Sequence, residues 1–303
     1  MSHSASHSAR RGLWSIVGAG TLWGTTGVAT RALYTLSATN ALSLALLRLI
    51  IAALIFLGLA WRLAGPRMWR VQGRDALLLL FMGAMQAVFQ YCYLAAIPAC
   101  GVTIATLLAL CVAPVIVVLF ATFFKHERLT PQILLALCCA LGGTILLVEA
   151  PVGLQSSARL WAGVLLSLAS AAGYAGVILC GRTLIKRCHP LQINSIVFAS
   201  AALLLLICAP GTHLALVYPP TGWLLILYLG CIPTALAYTL FQSGMRTTPA
   251  MLTGVLTLCE PLTAALLAWL FFGERLGPVG LVGALLLSGT ICLLASAGSR
   301  GQT

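Results

Sequence analysis

The chain has 303 residues, of which 61% are hydrophobic and only 7% charged, far below the roughly 25% charged residues of a soluble domain. At about 20 apolar residues per bilayer crossing, ten crossings use about 200 residues, and the remainder is too short for an additional soluble domain. The net charge of +12 does not indicate nucleic acid, because its basic residues sit in short gaps between apolar runs, where they report membrane orientation.

In chain order, hydropathy places spans near 13–34, 40–61, 75–97, 100–124, 131–149, 160–183, 191–210, 221–244, 249–272 and 278–297. The segment before Leu13 has no apolar stretch of its own and reads as a tail, not a cleaved signal. Pro131, Pro190, Pro249 and Pro278 mark first helical turns, where a missing N–H costs little. Trp14, Trp61, Trp69, Trp161, Tyr218 and Trp223 fall near the expected interfaces. The eleven cysteines show no C-x-x-C spacing and read as small packing residues. The five histidines lie in tails or gaps, which argues against a metal site within the membrane.

The basic residues sort by side. One side holds Arg10, Arg11, Arg62, Arg67, Arg70, Arg74, Lys125, Arg128, Arg182, Lys186, Arg187, Arg246 and Arg300; the other holds Arg31, Arg159 and Arg275. The expectation is that both termini are cytoplasmic.

The sequence also repeats itself. AP-VIVVLFATFFKHERLTP, ending at Pro131, matches EP-LTAALLAWLFFGERLGP, ending at Pro278: Pro114 aligns with Pro261, and the Glu127-Arg128-Leu129 turn with Glu274-Arg275-Leu276. At the same offset Tyr91 aligns with Tyr238. With five spans per copy, the second copy must enter the membrane from the opposite side, an arrangement used by secondary transporters with a midplane site between the halves. The expected fold class is an all-α polytopic membrane protein, ten transmembrane helices as two inverted five-helix repeats. The expected organisation is a cytoplasmic tail at 1–12, repeats at 13–149 and 160–297, and a second tail at 298–303.

Together with Trp23-Gly24 in the first span and L-R-L-I-I-A-A-L from Leu47 in the second, the doubled E-R-L-x-P turns resemble the drug/metabolite transporter superfamily, in particular its EamA family. That resemblance covers essentially the whole chain. It implies a ten-helix exporter or exchanger of small metabolites, amino acids or drugs that works without ATP, and the sequence has no G-x-x-x-x-G-K-[ST] loop. One departure is that the second half carries Phe198 where the first has Arg48.

Two charges lie well inside spans, where ionisable groups are costly and usually functional. Glu260, directly before Pro261, is the candidate to bind a substrate amino group or carry a coupling proton, against a structural reading as a hydrogen-bonded acid. Arg48 is the candidate partner for a carboxylate, either the substrate's or that of Glu260, against a reading as a clamp on backbone carbonyls. Gln86, Gln90 and Tyr93 share one face of the third span, with Tyr91 turned away. Thr234, Tyr238 and Gln242 repeat that spacing in the eighth. Trp23 with Thr26 and Thr30, Ser167 with Ser170 and Tyr174, and Asn194 complete the polar and aromatic positions; each has an equal claim as helix packing. The expected substrate-binding set is Glu260, Arg48, Gln86, Gln90, Tyr238, Trp23, Tyr174 and Asn194. Gly20-x-x-x-Gly24 allows two helices to approach closely.

The sequence lacks H-E-x-x-H and G-x-S-x-G, so an intramembrane enzyme is disfavoured, as is a channel, which would need rings of charge. The expected activity is secondary transport of a small organic solute, best an amino acid or related zwitterion moved outward, with no cofactor and with a proton as the coupling ion to test. An efflux pump or flippase for amphiphilic drugs or lipid-linked sugars is the alternative. Expected partners are the solute and the lipid bilayer, with no nucleic acid; the expected assembly is a monomer or homodimer in the cytoplasmic membrane.

Overall fold

A computed structural model describes residues 2–65, 71–124, 131–148, 158–210, 212–272, 277–286 and 288–289. Both E-R-L turns, the segment between the two repeats and the C-terminal tail lie outside these residues, as do several of the basic positions that set the expected orientation. Among the described residues the regular structure is helical.

The helices are α1 (Ser2–Leu36), α2 (Ala41–Ala64), α3 (Gly73–Phe124), α4 (Pro131–Val148), α5 (Ala158–Leu184), α6 (Pro190–Ile207), α7 (Pro220–Gly230), a π-helical segment (Cys231–Leu236), α8 (Ala237–Gly244), α9 (Ala250–Leu256) and α10 (Cys259–Phe272), followed by α11 over 278–286. Among the described residues six stretches are long and apolar enough to cross a membrane, and two shorter apolar stretches, Leu108–Phe123 and Leu134–Gly143, accompany them. Large apolar side chains such as Leu63, Leu165 and Phe123 stay exposed on the outside, as expected of a surface that meets lipid.

Local chemistry sets the ends. Asn40 caps α2 by accepting from the Ser43 N–H, and Gly65 closes it at φ 54°, donating its N–H to the Trp61 carbonyl. His189 caps α6 by accepting from the Leu191 N–H through Nδ1 at 3.3 Å, with Pro190 in the first turn. Burial and the nearby Arg246 hold its imidazole below the usual 6.5, which preserves that acceptor.

Four expectations about the elements change. First, α1 begins at Ser2, so the expected tail continues the first helix.

Second, the expected third and fourth spans are joined without a gap in helical backbone from Gly73 to Phe124. At 1.5 Å per residue a straight helix of that length would far exceed the roughly 30 Å hydrocarbon core. The contacts show that the chain turns back. Asp75 pairs with Arg187 at 3.0 Å, at the end of the molecule where Arg182 reaches the Met245 and Arg246 carbonyls. Pro114 and Val117 pack on Gly254, close to that same end.

Third, the eighth span contains a π segment around Pro233. Fourth, the ninth is broken at Thr257 and Leu258, between α9 and α10. Both interruptions lie at the candidate site.

Candidate functional site

The interruption in the eighth span starts from one residue. Proline has no N–H to donate four residues back, so Pro233 leaves the Leu229 carbonyl without its helical partner. The Thr234 hydroxyl takes that place, donating to the Leu229 oxygen at 2.6 Å. The same hydroxyl oxygen accepts from Arg48 Nη2 at 3.2 Å. One proline thus creates the local widening, and the widening seats the buried arginine. Gly230 brings the two helices together, since a Cβ there would lie 2.5 Å from Ile51, one turn along α2 from Arg48.

The ninth span breaks in a related way. Pro261 cannot donate to the Thr257 carbonyl, and the Glu260 N–H bonds to it instead at 3.0 Å, tightening the turn. Leu258 N–H donates to the Val255 carbonyl at 3.1 Å. Glu260 therefore stands in the first turn of α10, at the start of a half-helix in mid-span. Gly20 and Gly24 of α1 press against this break: a Cβ at Gly20 would lie 2.4 Å from Cys259 Sγ, and one at Gly24 would lie 2.7 Å from the Glu260 carbonyl oxygen. The expected close approach is therefore between α1 and the break itself.

Arg48 is 4% exposed and its Nε has no hydrogen-bond partner. Tyr238, Tyr93 and Glu260 stand near it. No hydrogen bond or ion pair joins Arg48 to Glu260 among the described residues, so the mutual pairing weighed from the sequence is not formed. The guanidinium has five donors, and among the described residues Thr234 is its acceptor.

Tyr238 ties the two halves together: its hydroxyl accepts from Gln86 Nε2 at 2.9 Å. Gln86 and Gln90 are both buried, while Tyr91 is 39% exposed, as the helical spacing requires. Around them stands a connected set of rings. Trp23 meets Tyr238 at 5.0 Å, Phe241 at 5.1 Å and Tyr174 at 6.0 Å. Phe198 packs on Tyr238 at 4.8 Å, and Phe89 stacks on Tyr174 at 4.9 Å. Tyr174 brings its hydroxyl towards Thr257 and Glu260 without a hydrogen bond of good geometry. Ser170 donates to the Phe89 carbonyl at 3.1 Å and Ser167 to the Gly163 carbonyl at 2.8 Å, so both serines serve packing. Asn194 is buried in α6, and neither of its amide atoms has a partner.

Of the eight expected residues, seven are linked by hydrogen bonds, ring contacts or charge: Trp23, Arg48, Gln86, Tyr174, Tyr238 and Glu260 directly, and Gln90 through Tyr238. Asn194 lies one helical turn from Phe198, at the edge of the set. Sequence reasoning missed Phe89, Phe198 and Phe241 as the ring partners, and Pro233 as the origin of the arginine seat. Pro233 was readable as a proline in the middle of an apolar span; the phenylalanines had no signal that separates them from ordinary packing.

A buried arginine and a partly buried glutamate, both beside breaks in membrane-spanning helices and near a cluster of aromatic rings, define a solute-handling membrane protein. The EamA-like transporter family model matches residues 10–149 and again 161–296, and the chain belongs to that family. It is 30% identical over 284 residues to the uncharacterized transporter YwfM of Bacillus subtilis (strain 168), covering 93% of this chain and 92% of that protein. It is 28% identical to the uncharacterized inner membrane transporter YicL of Salmonella typhimurium, covering 95% and 96%. The chloramphenicol-sensitive protein RarD of Pseudomonas aeruginosa is 30% identical over 60% of this chain and 58% of its own. A solved crystal structure with 21% identity shares the fold, with a TM-score of 0.79 over 98% of both chains. The protein is a membrane transporter of small solutes.

Proposed function

We propose that this transporter exports an amino acid or related zwitterion by alternating access, without ATP. The observation that carries the reading is the placement of Arg48 and Glu260: a basic and an acidic side chain, each beside a helix break in one aromatic-walled region, with no bond between them among the described residues. A zwitterion placed between them gives its carboxylate to the guanidinium, which offers bidentate donors, and its ammonium to the carboxylate. The Glu260 carboxylate is also the group on which a coupling proton competes with the ammonium.

An inverted-repeat arrangement is part of the same reading. It is supported by the two successive matches of the family model and by equivalent packing in the two halves: α1 lies on α8 of the eighth span, while α5 lies on the first arm of α3. Residues 13–149 and 160–297 then form the two copies, with both termini cytoplasmic and the membrane the bacterial inner one.

The ring set favours one alternative, efflux of an amphiphilic drug, since Trp23, Tyr174 and Tyr238 offer faces to a cation or planar solute. Reconstitution in vesicles with a panel of labelled amino acids and a dye-type cation, with and without a proton gradient, separates the two. The expected outcome is gradient-dependent movement of at least one amino acid, with Glu260→Gln reducing it at least tenfold and flattening its pH dependence. Movement of the dye alone would replace the zwitterion by the amphiphile, and movement of neither would overturn both.

A further inference from the structure

One helical turn beyond the contact of Phe198 with Tyr238 lies a second polar pair that none of the contacts above uses. Phe198 of α6 and Tyr238 of α8 meet ring to ring at 4.8 Å. The two helices run antiparallel, so Asn194, one turn before Phe198, and Gln242, one turn after Tyr238, fall on the same side of that contact, towards the end where Arg182 meets Met245. Both are buried, Asn194 at 1% and Gln242 at 0% exposure. Among the described residues none of their four amide nitrogen and oxygen atoms has a hydrogen-bond partner.

Unpaired buried polar groups are costly, and helix-to-helix glue would by definition be bonded across helices. A glycine lets flexible side chains pack closely beside Gln242. Gly181 of α5 stands where a Cβ would lie 3.4 Å from Gln242 Oε1 and 2.8 Å from Met245 Cε, and Met82 and Met245 provide flexible walls.

We infer that Asn194 and Gln242 form a solute subsite, distinct from the charged pair, which recognises a neutral group that both donates and accepts hydrogen bonds, such as a carboxamide or hydroxyl. Two primary amides present two NH2 donor groups and two carbonyl acceptors in an apolar surround, and a group with one function of each kind pairs with one of each. An apolar group of the same length leaves all four unpaired, so the subsite discriminates by the penalty it imposes on the wrong side chain. The assignment rests on the transport of a zwitterion proposed above and extends it to the zwitterion's side chain, which would lie towards the Arg182 end of the molecule.

L-glutamine and L-norleucine have side chains of similar length, one ending in an amide and the other in a methyl group. Counterflow of each into proteoliposomes containing the full chain is compared with that of Asn194→Leu and Gln242→Leu, with Gln242→Met as the closest apolar match should leucine prevent folding. The wild type is expected to prefer glutamine. Each substitution is expected to lower the glutamine-to-norleucine ratio about tenfold, the discrimination of about one hydrogen bond, while the Tm of the detergent-solubilised protein stays level or rises because no internal bond is lost. A lower Tm with an unchanged ratio would make the amides structural and overturn the subsite. Equal transport of both solutes by wild type and variants would also overturn it while leaving zwitterion transport standing. Transport of neither solute alongside movement of a dye cation would remove the subsite together with the zwitterion reading.

Discussion

Arg48 shows how a single buried charge is held in an apolar helix. Its cost in the membrane is high, and the compensation comes from one hydroxyl, Thr234, itself occupied by the carbonyl that Pro233 left free. Lysine carries the same charge but is a point donor on a flexible stem, without the planar fork. Arg48→Lys therefore cannot hold Thr234 and a carboxylate together in the same geometry. Solute uptake at subsaturating concentration is expected to fall at least tenfold in vesicles, while a Tm within a few degrees of wild type shows that folding survives. Uptake equal to wild type would mean that charge alone suffices there. Arg48 was visible as the lone arginine of an apolar span, but its neighbours were not: Thr234 lies 186 positions away in the chain, and no local pattern connects them.

At the scale of elements, the two interrupted spans are the ones that deliver side chains to the site. Pro233 and Pro261 each delete one helical hydrogen bond, yet the outcomes differ. The eighth span widens by a π segment and continues, whereas the ninth stops and restarts. Close packing by α1 holds the second break. At Gly24 a Cβ would lie 2.7 Å from the Glu260 carbonyl oxygen and 2.6 Å from Thr263, whereas at Gly27, on another face, it would meet nothing within 4 Å. Gly24→Ala is expected to lower the Tm by several degrees and to impair transport, because backbone at the break must shift; Gly27→Ala is expected to do neither. Equal behaviour of the two variants in a thermal melt would show that the break tolerates displacement. The pairing of the G-x-x-x-G stripe with the start of α10 could not be read from sequence, since such a stripe announces a close neighbour without naming it.

For the whole molecule, the spans were legible because the apolar runs and their proline starts are local signals: Pro131, Pro190 and 278 begin helices as expected. The gap expected between the third and fourth spans is absent, because helical hydrogen bonding continues through the region that includes Pro98. The excess of arginine and lysine on one side predicts cytoplasmic termini. A reporter that fluoresces only in the cytoplasm is expected to do so when fused to either end and to stay dark when inserted at Thr212, between the seventh and eighth spans. The reverse pattern would invert the orientation and, with it, the direction assigned to export.

The few charges in this chain were informative twice over. By itself the sequence determined that the protein lives in lipid, how its helices are spaced, which family it resembles, and that Arg48 and Glu260 are its two misplaced charges, because hydropathy, proline positions and charge are properties of neighbouring residues. Only the tertiary structure decided that these charges stay unbonded to each other, that Thr234 and Gln86 hold the groups around them, and that Asn194 and Gln242 stand unpaired one turn beyond the contact of Phe198 with Tyr238. Hydrogen bonds and ring contacts between residues of distant spans depend on how helices rotate and approach, and that is fixed by glycines, prolines and side-chain volumes acting together across the bundle.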